Sequence, residues 1–507
     1  MLNRLLKRLC QCLGLASLIL VVNYGDLLGG GPDARMHTPY PLTRICYAQI
    51  ADILIVAAFL FLVLTVFART RFAPWARLIV AIVIPPYLIQ RTQSFFPFDL
   101  IEGIVLILLV VWAAVLLLLL LRFSVWYRRL MRVGSGIAAA LVIFAIVSIA
   151  QLVWVATWKP QPNQINASWE TTPQPPRDHP LLVWIVFDEL SYDQVFEHRA
   201  RNLNLPNFDA LRAESTLFTD TQPAGYHTVE IIPSLLTGQI VDGIRYNFHN
   251  KLWVRHESDH KWGPIDGNQT VFADAQKQGW RTAVVGWYNP YCGIYATAID
   301  NCFWTNHDMF DGLMTQRASV WQNIYTPLQQ VVREIKSPSR ADRDLCTFDV
   351  RNRYQTHIDL QQHAFDLLHT DQADFMFLHL PIPHSPNIWS RINDDYTNHC
   401  DSSYLDNLAL ADRVLGQVLA TLKASPRWND TTLIVEGDHG WRIDAWNWLP
   451  AWTQEDDAAS RGVFDTRPAM IIHQPGQTLP ETVTSPWPIV QVHGVVEQVL
   501  HHQSPAF

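Results

Sequence analysis

No Cys-x-x-Cys pair occurs among the seven cysteines, so no thiol-based metal centre of that kind is expected. There is no internal repeat and no low-complexity tract, which leaves ordinary folded domains rather than an array or a disordered scaffold. After residue 159 no basic patch interleaved with aromatics appears, and nucleic acid is thereby excluded as a partner. Charge itself is scarce, at 17% of 507 residues, and it is unevenly split. Up to Lys159 there are 14 Lys+Arg against 5 Asp+Glu, a net of +9, so the whole-chain value of −8 leaves −17 for the remainder. A basic, hydrophobic front is followed by an acidic, soluble back.

What the front has in abundance is apolar length. Of the runs at 9–28, 47–67, 78–89, 100–121 and 137–158, all but the third reach the roughly 20 residues that cross a bilayer core. The third is short and carries Pro85-Pro86, so it needs flanking residues or a kink. Four spans would leave the back half on the cytoplasmic side; five would export it. With a cytoplasmic N-terminus, five spans put ten Lys/Arg inside, from Arg4 to Arg132, against only Arg35, Arg44 and Arg91 outside. The expectation is therefore an integral, multi-pass protein of the cytoplasmic (inner) membrane, with everything after Trp158 on the periplasmic or extracellular side. No Ala-x-Ala site follows the first run to suggest a cleaved leader. Asp52 and Glu102 fall near the outer ends of their spans and are expected to be solvated there.

The domain expectation is an anchor of about five helices over 1–158, a Pro-rich linker over 159–180 and a catalytic domain over 181–507. Cys292, Cys302, Cys346 and Cys400 lie in the exported part, where two disulfides are expected. Of the three possible connectivities, the nearest-neighbour pairing Cys292–Cys302 and Cys346–Cys400 is favoured. Apolar runs at 181–187, 281–287, 374–380, 431–436 and 467–472 read as strands buried on both faces of a mostly parallel sheet. They alternate with helical patterns at 349–368 and 402–422, which predicts an α/β sandwich. Ligands in such folds gather beyond the carboxyl ends of the strands. There stand Asp188-Glu189, His379 with His384, and Asp438-His439-Gly440, while Thr228 opens the stretch Thr228–Gly238. Carboxylates and imidazoles meeting at one sheet edge suit a divalent cation. Singly, each has a plainer reading: a helix cap, a loop histidine, or a threonine that merely caps its helix.

Together these residues resemble the sulfatase-like branch of the alkaline phosphatase superfamily. In that branch the nucleophile stands ten residues before the glycine of a Leu-Leu-Thr-Gly stretch, as Thr228 does before Gly238. Gly476-Gln477 after the last run also fits. The five-span anchor is similar to that of the phosphoethanolamine transferases and the lipoteichoic acid synthase-type phosphoglycerol transferases, which use a threonine. The resemblance implies one metal held by Asp188, Glu189, Thr228, Asp438 and His439, with Asp188 and Glu189 left open as the main ligand. His384 and His379 would bind substrate. Thr228 is followed by Val-Glu-Ile-Ile, not x-Pro-Ser-Arg, and threonine cannot become formylglycine, so ordinary sulfatase chemistry does not follow. His439 in place of the usual asparagine favours Zn²⁺ or Mn²⁺ over Ca²⁺. The implied function is transfer of a phospho-head-group from a membrane phospholipid donor to an envelope lipid or glycan acceptor. Alternatives are a hydrolase of phosphate or sulfate esters and a non-catalytic membrane protein.

Overall fold

A computed structural model describes residues 2–507 except 30–34, 68–74, 76–77, 80, 83–101, 167–178, 248–250, 308–317, 337, 371 and 450. The chain divides into two compact units. The first comprises 1–31, 40–159 and 313–336, and the second 32–39, 160–312 and 337–507.

The first unit is helical: α1 (Leu2–Gly29), α2 (Thr43–Phe67), α3 (Glu102–Arg122), α4 (Ser124–Ala140) and α5 (Val142–Ala156). Helix α1 packs on α2, α4 and α5. Among the described residues two stretches, Thr43–Val66 and Ser124–Ala156, are long and apolar enough to cross a membrane, against the five spans expected. The expected run at 9–28 lies within α1, the run at 100–121 lies largely within α3, and in that at 78–89 only residues 78, 79, 81 and 82 are described, all helical. Asp52 is buried rather than solvated, with Gln49 Nε2 3.4 Å from its carboxylate. The side chain of Glu102 lies outside the described ones.

The second unit is built on a nine-stranded sheet. Its strands in chain order are β1 (Gln164–Ile165), β2 (Leu181–Phe187), β3 (Thr216–Phe218), β4 (Thr282–Trp287), β5 (Asn301–Thr305), β6 (Phe375–Leu380), β7 (Thr431–Gly437), β8 (Met470–His473) and β9 (Glu481–Val483). Their spatial order is β1-β5-β4-β6-β2-β7-β8-β3-β9. The centre, from β4 to β7, is parallel, which explains the unbroken apolar runs: each of these strands is buried on both faces. One half of the alternation (Val183, Ile185, Phe187) joins a core with α9 (Tyr404–Ala424), and the other (Leu182, Trp184, Val186) joins a core with α6 (Thr228–Thr237). The expected strand at 467–472 forms as β8 but runs antiparallel to β7, so the sheet is mixed. A strand's burial pattern is the same in either direction, and only the route of the chain decides it.

The Pro-rich segment is not a free spacer along its whole length. Gln164–Ile165 adds an edge strand to β5, and Trp304 Nε1 donates to Pro162 O at 2.7 Å. Residues 167–178 of it lie outside the described ones. Both disulfides have the expected pairing, Cys292–Cys302 and Cys346–Cys400.

Candidate functional site

The register of three neighbouring strands assembles the site. Val186 of β2 pairs with His379 of β6 and with Glu436 of β7, and Phe187 pairs with Gly437. One residue on, Asp188 and Asp438 leave their strands side by side. Side chains alternate along a strand, so Asp188, His379 and Asp438 continue the face that carries Leu182, Trp184, Phe377 and Ile434. That is the face on which α6 lies, with Ile231, Ile232, Leu235 and Leu236 in the same core.

Helix α6 begins at Thr228, with His227 as its N-cap residue. Thr228 is therefore the first helical residue and not the cap, and its hydroxyl is free for other work. It donates within reach of two carboxylates: Oγ1 lies 2.8 Å from Asp438 Oδ2 and 3.1 Å from Asp188 Oδ2, with His439 Nε2 at 3.5 Å. Gly238 closes the helix in the left-handed region (φ 70°), where a side chain would be strained. The Thr-to-Gly spacing is thus the length of this helix.

Imidazoles surround Asp188. His379 Nε2 is 3.6 Å from its Oδ2, and His439 Nε2 and His384 Nε2 are 3.7 and 4.0 Å from its Oδ1. His439 Nδ1 lies 2.9 Å from Gly440 O, which orients the ring so that Nε2 faces the carboxylates, 3.3 Å from Asp438 Oδ2. Asp438 Oδ1 accepts from the backbone N–H groups of Glu189 and His439, fixing its other oxygen toward Thr228. Gly440 is required by crowding: a Cβ there would meet Asp465 O at 2.3 Å. Burial pushes the Asp188 carboxyl up, but His384, His379 and His439 outweigh it and hold Asp188 below the ordinary carboxylate range. Burial, aided by Arg353 and Arg442, outweighs the pull of Asp188 and lowers the His384 pKa well below the usual imidazole range.

Asp188, His379 and Asp438 form a buried group whose ligand atoms all lie within 4.8 Å of one another. Asp188 Oδ1 and His379 Nε2 are buried without a hydrogen-bond partner. Two carboxylates share one hydroxyl proton, and the donors are oxygens and imidazole nitrogens. This set fits a divalent cation of the Zn²⁺/Mn²⁺ type.

Glu189 is placed differently from the other acids. Its φ of 70° turns the chain, and its Oε1 accepts from Arg442 N and Nε and from Trp446 Nε1 at 3.0, 3.2 and 2.7 Å. Neither Glu189 nor His439 stands in the group of three, and the Glu189 Oε2 is buried without a hydrogen-bond partner. Burial raises its pKa against the pull of Arg442. His379 stands in that group. Its Nδ1 is 2.8 Å from the Tyr291 hydroxyl. His384 sits edge-on to both Trp287 and Trp446.

Tyr291 and Trp287 of this surround escaped the sequence reading, and so did Arg442, Trp446 and Arg353. Arg353, on the long helix α8 (Pro338–Thr370), donates to Pro381 O at 3.0 Å and stands 3.3 Å from His384 Nδ1. A signal was present for two of them, since Trp441, Arg442, Trp446, Trp448 and Trp452 crowd into the segment after Asp438-His439-Gly440. Nothing in the sequence marked Arg353.

A family model described as Sulfatase matches residues 180–501. None of the curated protein sequences compared matches the chain. Solved structures similar to it include the phosphonate monoester hydrolase of Agrobacterium radiobacter (14% identity, 64% of this chain and 74% of that one, TM-score 0.40). Another is Ps i-CgsB in complex with k-i-k-neocarrahexaose (14%, 65% and 73%, TM-score 0.39). A third is the lipoteichoic acid synthase LtaP from Listeria monocytogenes (15%, 63% and 72%, TM-score 0.37). With nearly two-thirds of its length in that match, and a carboxylate–imidazole group around Thr228 at the sheet's carboxyl edge, the chain belongs to the sulfatase family.

Proposed function

We propose that this chain transfers a phospho-head-group, of the phosphoethanolamine or phosphoglycerol type, from a membrane phospholipid to an envelope lipid or glycan through a phospho-Thr228 intermediate. The reading includes a multi-pass anchor of about five helices over 1–158 in the cytoplasmic membrane, the linker 159–180, and a catalytic domain over 181–507 on the periplasmic or extracellular side. The observation that carries it is the Thr228 hydroxyl lying within hydrogen-bond reach of both Asp188 and Asp438.

Asp188, Asp438, His439 and Thr228 would hold one divalent cation, with His379 beside them. When bound, that cation supplies positive charge that makes the Thr228 hydroxyl more acidic and offsets charge on the phosphate. Thr228 Oγ1 passes its proton to Asp438 and bonds to phosphorus, and the phosphorus–oxygen bond to the lipid breaks. Free N–H groups in the first turn of α6 favour the phosphate oxygens. An arriving anionic phosphate raises the pKa of His384, which burial holds low, so that it binds the substrate oxygens or protonates the departing alcohol. Arg442 holds Glu189 in place and adds positive charge behind the two aspartates. An acceptor hydroxyl then takes the phosphoryl group from Thr228. If water does so instead, the same residues make a hydrolase.

Turnover of a chromogenic phosphodiester by the full chain in Zn²⁺- or Mn²⁺-supplemented buffer tests the reading. Thr228→Ala should lower it by about a thousandfold or more. The mass added to Thr228 during turnover names the transferred group, and a mass identical with and without donor lipid would sink the proposal.

A further inference from the structure

Helix α7 (Val320–Lys336) interrupts the catalytic sequence, yet it belongs to the helical unit and packs on α2. At 3.6 residues per turn its apolar side chains fall on one broad arc. Ile324 and Pro327 lie on one flank of that arc, and Trp321, Tyr325, Leu328 and Val332 on the other. Only the first flank is covered: Ile324 is 9% exposed, whereas Trp321, Tyr325 and Val332 are 77%, 63% and 49% exposed. The remaining arc is polar: Gln322 is exposed, Thr326 and Gln329 are half-buried, and Asn323 is buried. Ser319 and Gln322 cap each other's backbone at the start of the helix, so it begins as a defined element.

Two features point to a lipid surface as what covers the open flank. Its partner helix α2 has the length and hydropathy to cross a bilayer and carries an uncovered apolar flank of its own, with Phe59 and Leu62 64% and 62% exposed. The open stripe of α7 contains no charged residue and is led by tryptophan and tyrosine, the side chains that settle at the boundary between head groups and acyl chains. We propose that α7 is an interfacial helix, with its Trp321–Tyr325–Leu328–Val332 stripe sunk into the membrane that α2 crosses and its polar arc toward water. This rests on the membrane reading of α2 and is independent of the chemistry at Thr228.

The test uses the full chain in phosphatidylethanolamine/phosphatidylglycerol nanodiscs, with one cysteine introduced at a time for a nitroxide label: Tyr325→Cys, Thr326→Cys and Phe59→Cys. The unsubstituted chain treated with the same reagent gives the background from Cys10, Cys12 and Cys46. Collision of the label with oxygen is compared with collision with a water-soluble nickel chelate. Position 325 should favour oxygen several-fold over position 326, as position 59 does. A water-like response at 325 beside a lipid-like one at 59 overturns the interfacial helix alone. Shielding of 325 from both reagents also overturns it and points to a second copy or another protein. A water-like response at 59 removes the membrane reading itself. Trp321→Cys repeats the measurement one turn away, should the label at 325 disturb the helix.

Discussion

Thr228 Oγ1 lies 2.8 Å from Asp438 Oδ2, across 210 positions of sequence. The contact joins the first turn of α6 to the loop leaving β7, and Asp188 completes it from β2. A hydroxyl has one proton to give, so it cannot satisfy two carboxylates at once. The arrangement leaves negative charge that a cation would balance.

Metal binding should therefore stabilise the folded chain. After chelation, adding Zn²⁺ or Mn²⁺ at about a hundred times its dissociation constant should raise unfolding stability by about 2.7 kcal/mol. Thermal unfolding of the full chain in detergent reads the shift. Asp188→Asn and Asp438→Asn should each abolish it, and Ca²⁺ should give less.

The Arg442–Glu189 pair is buried, with side chains 8% and 0% exposed. Arg442→Met should cost about 3–5 kcal/mol, because Glu189 is left charged in the interior. Adding Glu189→Gln should recover most of the loss. The exposed pair Arg413–Asp394 (50% and 76%) is the contrast: Arg413→Met should cost about 0–1 kcal/mol.

His357 of α8 is buried neutral, its Nε2 3.2 Å from the Tyr396 hydroxyl, and burial pulls its pKa from 6.5 down to about 3. Unfolded chain binds the proton first as pH falls, so the stabilising contribution is complete above 6.5 and is lost progressively from there down to about 3. By pH 5 the loss should be about 2 kcal/mol. Unfolding midpoints of the full chain between pH 7 and 5 measure it, and His357→Gln should flatten the dependence by that amount.

The disulfides should contribute unequally. Cys346–Cys400 spans 54 residues and Cys292–Cys302 spans 10. Loop-closure entropy alone assigns them about 4 and about 3 kcal/mol. Melting temperatures of the Ser/Ser variants of each pair give the order, which reverses if enthalpic terms dominate.

How far the sequence was legible differs from element to element. Strands β2, β4, β6 and β7 announced themselves as apolar runs, because a central parallel strand must be apolar on both faces. Helix α9 was equally plain: Leu405, Leu408, Leu415, Val418, Leu419 and Leu422, which share its apolar stripe, are all buried. Direction was not legible, and β8 runs antiparallel for reasons of chain path that its four residues do not encode. Between Asp188 and Glu189 the sequence offered no choice. In the structure the chain takes a left-handed turn at Glu189, with the Asp188 carboxylate beside Thr228 and that of Glu189 beside Arg442.

By itself the sequence determined which residues could do the chemistry and where along the chain they stand, since hydrophobic period and strand-end position are local properties. The tertiary structure decided which of them meet. Strand register set Asp188, His379 and Asp438 on one face, and the start of α6 brought the Thr228 hydroxyl to them. Arg353 reached His384 from a distant helix. Such contacts depend on register, direction and turn geometry, which are settled only when the whole sheet has packed.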